Sequence, residues 1–200
     1  MYGQIEGGSY EGLSIASLEP GIYEDASLVK VEVTKTTKQD GSEGKNIITF
    51  LFSTPKGDHQ HTEYEVDPTD AKAQSKMQNL SKRIGHIATK FVSEDVVKNI
   101  KATSFVDYGN QIANLLNAAC GAVKDLEIKI VGNVYNGKAT SGFTGYPPFI
   151  SRKSSPSYKR LTFSANENKS NGEYKAHSAA APDNDAIATD TTKKDVDSDF

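Results

Sequence analysis

In the run ASLVKVEVT, Val29, Val31 and Val33 fall on one side of the chain and Leu28, Lys30 and Glu32 on the other. A period of two belongs to a strand with one buried face, so a first strand is predicted over about 22–36. The turn sequence TTKQDGSEGK follows, and NIITFLFST then places Ile48, Phe50 and Phe52 on a common face as a second strand. After a second turn, PKGDHQ, the run HTEYEVD sets Tyr64 and Val66 against Glu63 and Glu65. This predicts a third strand that returns along the second.

The period then changes. Asp67-Pro68 offers an N-cap and a first-turn proline, and Ala73, Met77, Leu80, Ile84, Ile87 and Phe91 recur at steps of four and three, the stripe of an amphipathic helix. Ser93 with Glu94 and Asp95 starts a shorter helix. Ser104 with Asp107 resembles a capping box for a third, which carries Tyr108, Ile112, Leu115, Leu116 and Ala119 and stops at Gly121. Alternation resumes in DLEIKIVGNVYNGKAT, where Asn136-Gly137 is a strong hairpin signal joining strands four and five. The broken stretch SGFTGYPPFISRKSSPS leads to YKRLTFSA, read as the rest of strand five or a sixth strand. From about Asn166 no hydrophobic period survives, which predicts a linker and tail.

Three strands, a helical segment and two or three further strands is the element order of an OB-fold. The expected architecture is mainly β with some α+β content: an OB-fold-like five-stranded Greek-key barrel over 1–165, with a helical insertion of about 69–120 between strands three and four. A disordered linker and acidic tail over 166–200 would follow. The insertion exceeds what a bare OB-fold needs, so a generic α+β fold is the competing expectation.

Composition narrows the class. A chain of 200 residues with 36% hydrophobic content and a mean hydropathy of -0.55 reads as one soluble domain with some excess polar sequence. No window approaches the roughly 18–20 apolar residues of a membrane span, and MYGQIEGGSY lacks the marks of a signal peptide, so a cytoplasmic protein without a membrane partner is expected. Cys120 is the sole cysteine, which excludes an internal disulfide; at the end of an apolar stripe it reads as a buried structural thiol. The net charge of -3 conceals an asymmetry: residues 1–70 carry -8, residues 71–170 carry +9 and residues 171–200 carry -4. A basic middle beside an acidic tail suits a polyanion-binding face with a built-in competitor.

Catalytic constellations are not evident. His59 and His61 form an H-x-H within a predicted turn with no further ligand to complete a metal shell, so they read as solvated loop histidines. His86 belongs to a helix and His177 to the tail. Glu63, Glu65, Asp67 and Asp70 make an acidic cluster able to hold a hard cation, yet alternate strand positions also describe a solvated face. Neither phosphate-loop signature, G-x-x-x-x-G-K-[ST] or G-x-G-x-x-G, occurs. No catalytic residue, metal or cofactor is assigned.

The distinctive stretch is 135–163. Tyr135, Phe143, Tyr146, Phe149, Tyr158 and Phe163 are interleaved there with Lys138, Arg152, Lys153, Lys159 and Arg160, without one acidic residue. Single-stranded nucleic acid presents flat bases and a continuous phosphate charge, and rings alternating with cations answer both. Phe163 and Phe149 read as core, Tyr135 and Tyr158 as exposed, because a phenol keeps a wet end. The chain closes in DVDSDF, with Asp195, Asp197 and Asp199 before a terminal Phe200; a basic-rimmed apolar pocket accepts such a peptide.

With that strand order, that aromatic and basic stretch and that ending, the sequence resembles single-stranded DNA-binding proteins, particularly those of bacteriophages, whose acidic C-termini end in Phe. It lacks the Ile-Pro step of the bacterial tails and any Trp. The resemblance implies DNA binding without catalysis in replication, recombination or repair, in the bacterial host cytoplasm. Tyr135, Phe143, Tyr146 and Tyr158 are the expected stacking residues, and Lys138, Arg152, Lys153, Lys159 and Arg160 the expected phosphate contacts. By the resemblance, Asp195, Asp197, Asp199 and Phe200 contact the polymerase, the helicase-primase or recombination proteins, with homo-oligomers a further expectation. The competing expectations are a virion or assembly component built on a β-barrel, and an enzyme using the acidic cluster with a divalent ion; RNA is an alternative ligand.

Overall fold

The computed structural model of the chain describes residues 18–38 and 40–180. Its elements are β1 (Gly21–Thr37), β2 (Glu43–Thr54), β3 (Gly57–Tyr64), α1 (Ala73–Ala88), α2 (Glu94–Lys98), α3 (Phe105–Asn117), β4 (Leu126–Tyr135), β5 (Lys138–Gly142), β6 (Ile150–Arg152) and α4 (Ala165–Ala180). All strand pairs are antiparallel, in the order β3-β2-β1-β4-β5, with β6 also on β4. The long β1 serves two neighbours: it pairs with β2 from Ser27 onward and with β4 over Gly21–Ala26. The mainly β class and the order of elements match expectation. The sheet has six strands, however, and does not close, because β3 and β5 are not hydrogen-bonded neighbours. Where closure would bring them together, the chain leaves β5 at Gly142 and packs the Phe143 ring on His59 and His61 of β3, each at 4.9 Å between centroids.

One face of the sheet makes the core. Leu28, Val31, Ile48, Phe50, Phe52, Leu126, Ile128 and Ile130 pack against Leu80, Ile84 and Ile87 of α1 and Ile112 and Leu116 of α3. Burial of this apolar surface is the main term holding helices to sheet. The α3 start is as predicted, with the Ser104 hydroxyl accepting from the Asp107 amide at 3.1 Å. At the other end of α3, Asn117 bonds both backbone groups of Val31 at 2.8 Å, tying helix to β1.

Four local expectations fail, each for a physical reason. A bulge between Leu28 and Lys30 turns Val29 outward, 47% exposed, and lets Leu28 and Val31 share the core. On β3 the faces are inverted: His59 and Glu63 are buried and Tyr64 is exposed. The helix predicted from Asp67-Pro68 begins only at Ala73, because Asp67 and Asp70 accept from the amides of Thr69 and Lys72 in successive turns. Finally, residues 166–180, expected to be linker, belong to α4, while 159–164 are not a strand. Only Tyr174 of α4 is buried, and polar contacts to β4 anchor the helix: Lys129 to Glu167 at 2.8 Å and the Gly132 amide to Asn171 at 2.8 Å. A Cβ on Gly132 would stand 2.5 Å from that of Tyr174, so the close approach requires glycine there.

Candidate functional site

The connection between β5 and β6, residues 143–149, is a loop with aromatic feet. Phe143 and Phe149 stack on each other at 4.7 Å, Phe52 meets Phe143 edge-on at 5.4 Å, and His86 of α1 meets Phe149 edge-on at 5.0 Å. Phe143 is therefore an anchor, held among Phe52, His59, His61 and Phe149, and is not placed as the open stacking platform expected from sequence.

The histidines around these feet are not solvated turn residues either. The β2–β3 turn is confined to Pro55-Lys56, so His59 and His61 lie on the inward face of β3. Burial, helped by the neighbouring His61, pulls the His59 pKa down to about 4, and its Nε2 has no hydrogen-bond partner. His61 Nε2 lies 3.0 Å from Glu63, and Glu63 takes two 2.6 Å hydrogen bonds from the Arg83 guanidinium. Burial pushes the Glu63 carboxyl up, but the bonds from Arg83 and His61 outweigh it and leave the group below its usual value.

At the tip of the loop the chain turns outward. Tyr146 is 73% exposed, followed by exposed Pro147 and Pro148. Beside this tip run two grooves. The first, of about 1230 Å³, lies between the last turns of α1, α2 and residues 151–158, and is lined by Lys82, His86, Lys90, Lys98, Arg152 and Tyr158. The second, of about 730 Å³, is lined by His86, Lys90, Tyr146, Lys159, Arg160 and Phe163. His86, Lys90, Pro147, Ser151 and Ser157 belong to both, so the two adjoin as one trough. The acids along it are already engaged: Glu94 pairs with Lys98 at 2.8 Å, and Glu167 with Lys129 at 2.8 Å. The trough is thus a cationic channel with phenol rings at its rim.

The expected residues divide among several places. Tyr146, Arg152, Tyr158, Lys159 and Arg160 line the trough. Arg152 lies 3.4 Å from Asp125 and donates to the Lys90 carbonyl at 3.2 Å, and the Tyr158 hydroxyl donates to Glu127 at 3.2 Å. Lys153 is held instead by Glu24 at 2.7 Å and Asp25 at 3.0 Å, whose hydrogen bonds raise its pKa; Asp25 sits at a β1 irregularity with a φ of 56°. Tyr135, 67% exposed, pairs with Lys138 at the tip of the β4–β5 hairpin, and neither lines the trough. Phe149 is buried as expected, whereas Phe163 is half-buried. Asp195, Asp197, Asp199 and Phe200 lie outside the described residues.

Sequence reasoning missed Lys82, His86 and Lys90, which recur every fourth residue beside the apolar stripe of α1 and so share one face; that spacing was the available signal. The acidic cluster does not converge. Glu65 takes the Asn46 amide at 2.6 Å, Asp67 takes Thr69, and Asp70 pairs with Lys76. Among the described residues no group of three or more His, Cys, Asp or Glu is placed to hold a metal. Cys120 is half-buried, burial raising its thiol pKa. None of the helices among the described residues is long and apolar enough to cross a membrane. No protein-family model, curated protein or solved structure matches the chain.

Proposed function

We propose that the protein binds single-stranded DNA without catalysis and with little sequence preference, in replication, recombination or repair. The observation that carries this reading is the continuity of the two grooves: one cationic trough, bordered by α1, α2 and residues 144–164, with Tyr146 and Tyr158 on its walls. Lys82, Lys90, Lys98, Arg152, Lys159 and Arg160 neutralise the sugar-phosphate backbone, while Tyr146 and Tyr158 stack on bases, each base contributing roughly 1–3 kcal/mol. The division of β1 between β2 and β4 supports reading the sheet as an opened relative of the OB barrel, a fold that presents loops and one sheet face to oligonucleotides. In this reading Asp195, Asp197, Asp199 and Phe200 form an acidic peptide that competes with DNA for the trough and meets replication or recombination partners when DNA displaces it.

A titration of labelled oligo-dT and of a matching duplex at two salt concentrations tests the reading. Single strands are expected to bind well ahead of duplex, with log affinity falling against log salt by about 0.7 per phosphate neutralised. Equal binding of both forms, or oligomers that form regardless of DNA, would favour a structural role. Removal of residues 195–200 should tighten DNA binding.

A further inference from the structure

We propose that His86 and Lys90 form a dedicated phosphodiester site at the junction of the two grooves, the fixed point through which the backbone of a bound strand passes. The inference rests on the DNA-binding reading and sharpens it to one subsite.

Three observations converge there. Lys90 lies just beyond the end of α1, half-buried, and lines both grooves together with His86. No carboxylate among the described residues faces its ammonium, and burial alone lowers its pKa, so the cation is partly dehydrated and uncompensated. The neighbouring cations of the trough are either committed or more open: Lys98 pairs with Glu94, Arg152 lies near Asp125, and Lys159 and Arg160 are exposed. A partly buried cation with no partner attracts an anion far more strongly than a solvated one. Second, the Nε2 atom of His86 is buried without a hydrogen-bond partner; burial first, and then Lys90 one turn on, oppose a proton on the ring, against the backbone hydrogen bond at Ile150 that favours it. An arriving anion neutralises Lys90, removing its opposition to a proton on the ring, and supplies an acceptor for that proton; the burial penalty stays. Third, the remaining residues shared by the grooves are Pro147, Ser151 and Ser157, which bring no negative charge to the junction. The Arg152 guanidinium fixes this corner by bonding the Lys90 carbonyl.

The ligand chemistry is a singly charged phosphodiester within the strand. A channel that continues on both sides of the site suits a group with chain on either side. A terminal phosphate would leave one groove empty.

The test compares K90Q with K98Q, in the same trough, and K124Q, which is exposed outside it. Oligo-dT affinity should fall about tenfold for K90Q, the loss expected for one charge-assisted contact, and the salt slope should drop by about 0.7. K124Q should match the parent, K98Q should lose about threefold, and K90R should recover most of the K90Q loss. An oligonucleotide with a 5′-phosphate should bind like one without it. In the unmodified protein, where no substitution affects folding, the ring signals of His86 should move on addition of oligo-dT while those of His177 stay in place. If oligo-dT binds but K90Q behaves like K124Q and the His86 signals do not move, the subsite is wrong and the broader reading survives. Preference for the 5′-phosphorylated oligonucleotide overturns the phosphodiester assignment. If oligo-dT does not bind the unmodified protein at all, the broader reading falls with it.

Discussion

The feet and the tip of the 143–149 loop are built from the same residue class and turned to opposite ends. Phe143 and Phe149 face inward, stacked on each other and ringed by Phe52, His59, His61 and His86; Tyr146, midway between them, faces out over the trough. The feet are phenyl rings, which lose nothing polar when dehydrated, while the tip is a phenol that keeps its hydroxyl wet. The inner rings therefore set stability, and the outer ring is available for a ligand. A histidine shell around the feet adds a polar liability to the inner layer, offset where the Glu63–Arg83 pair engages His61 and where His86 bonds the Ile150 backbone, while the Nε2 atoms of His59 and His86 have no partner.

Substitutions at the feet should act on stability first. F149A removes a fully buried ring and should cost about 3–5 kcal/mol in denaturant unfolding. R83M should cost about 3 kcal/mol by the same measure, because it leaves the Glu63 carboxylate, 3% exposed, without its guanidinium. Acid should loosen the same layer. With a folded pKa of about 4 against 6.5, His59 binds fewer protons folded than unfolded across that window. Its contribution is complete above about pH 6.5 and fades as pH falls towards 4, a loss of about 3 kcal/mol. Melting curves at stepped pH should show that fall, and H59F should reduce it, the remainder belonging to His86, which burial also lowers to about 4. At the tip the ordering reverses: Y146A should shift stability by less than about 0.5 kcal/mol yet weaken oligo-dT binding about tenfold. K153Q should do least, changing oligo-dT affinity less than about twofold, since Glu24 and Asp25 already engage that cation at the surface. A Y146A protein that unfolds easily, or an F149A protein that loses only DNA affinity, would break the contrast between feet and tip.

Features fixed by local chemistry were legible in the sequence. Asn136-Gly137 makes the β4–β5 turn with φ values of 49° and 68°, and Ser104 caps α3. Features fixed by distant partners were not. The run HTEYEVD offers two alternating faces, and the one with Glu63 goes inward because Arg83, 20 residues away, meets it with two hydrogen bonds. Similarly, α4 has no apolar stripe because Asn171, Glu167 and Tyr174 dock it on β4, and only the fold brings Gly132 and Lys129 opposite them. The interleaving of rings and cations located the walls of the trough at Tyr146, Arg152, Tyr158, Lys159 and Arg160. It could not separate these from Tyr135 and Lys138, which a hairpin carries elsewhere, nor from Lys153, which acids on β1 capture.

The most direct test is a map of backbone amide shifts as oligo-dT is added to the full chain at low salt. Changes confined to Lys82–Lys98, the 144–147 tip, Arg152–Arg160 and the displaced 195–200 peptide, with Tyr135 and Lys138 unmoved, are the predicted result. Shifts centred on the β4–β5 hairpin, or none at all, would contradict the account.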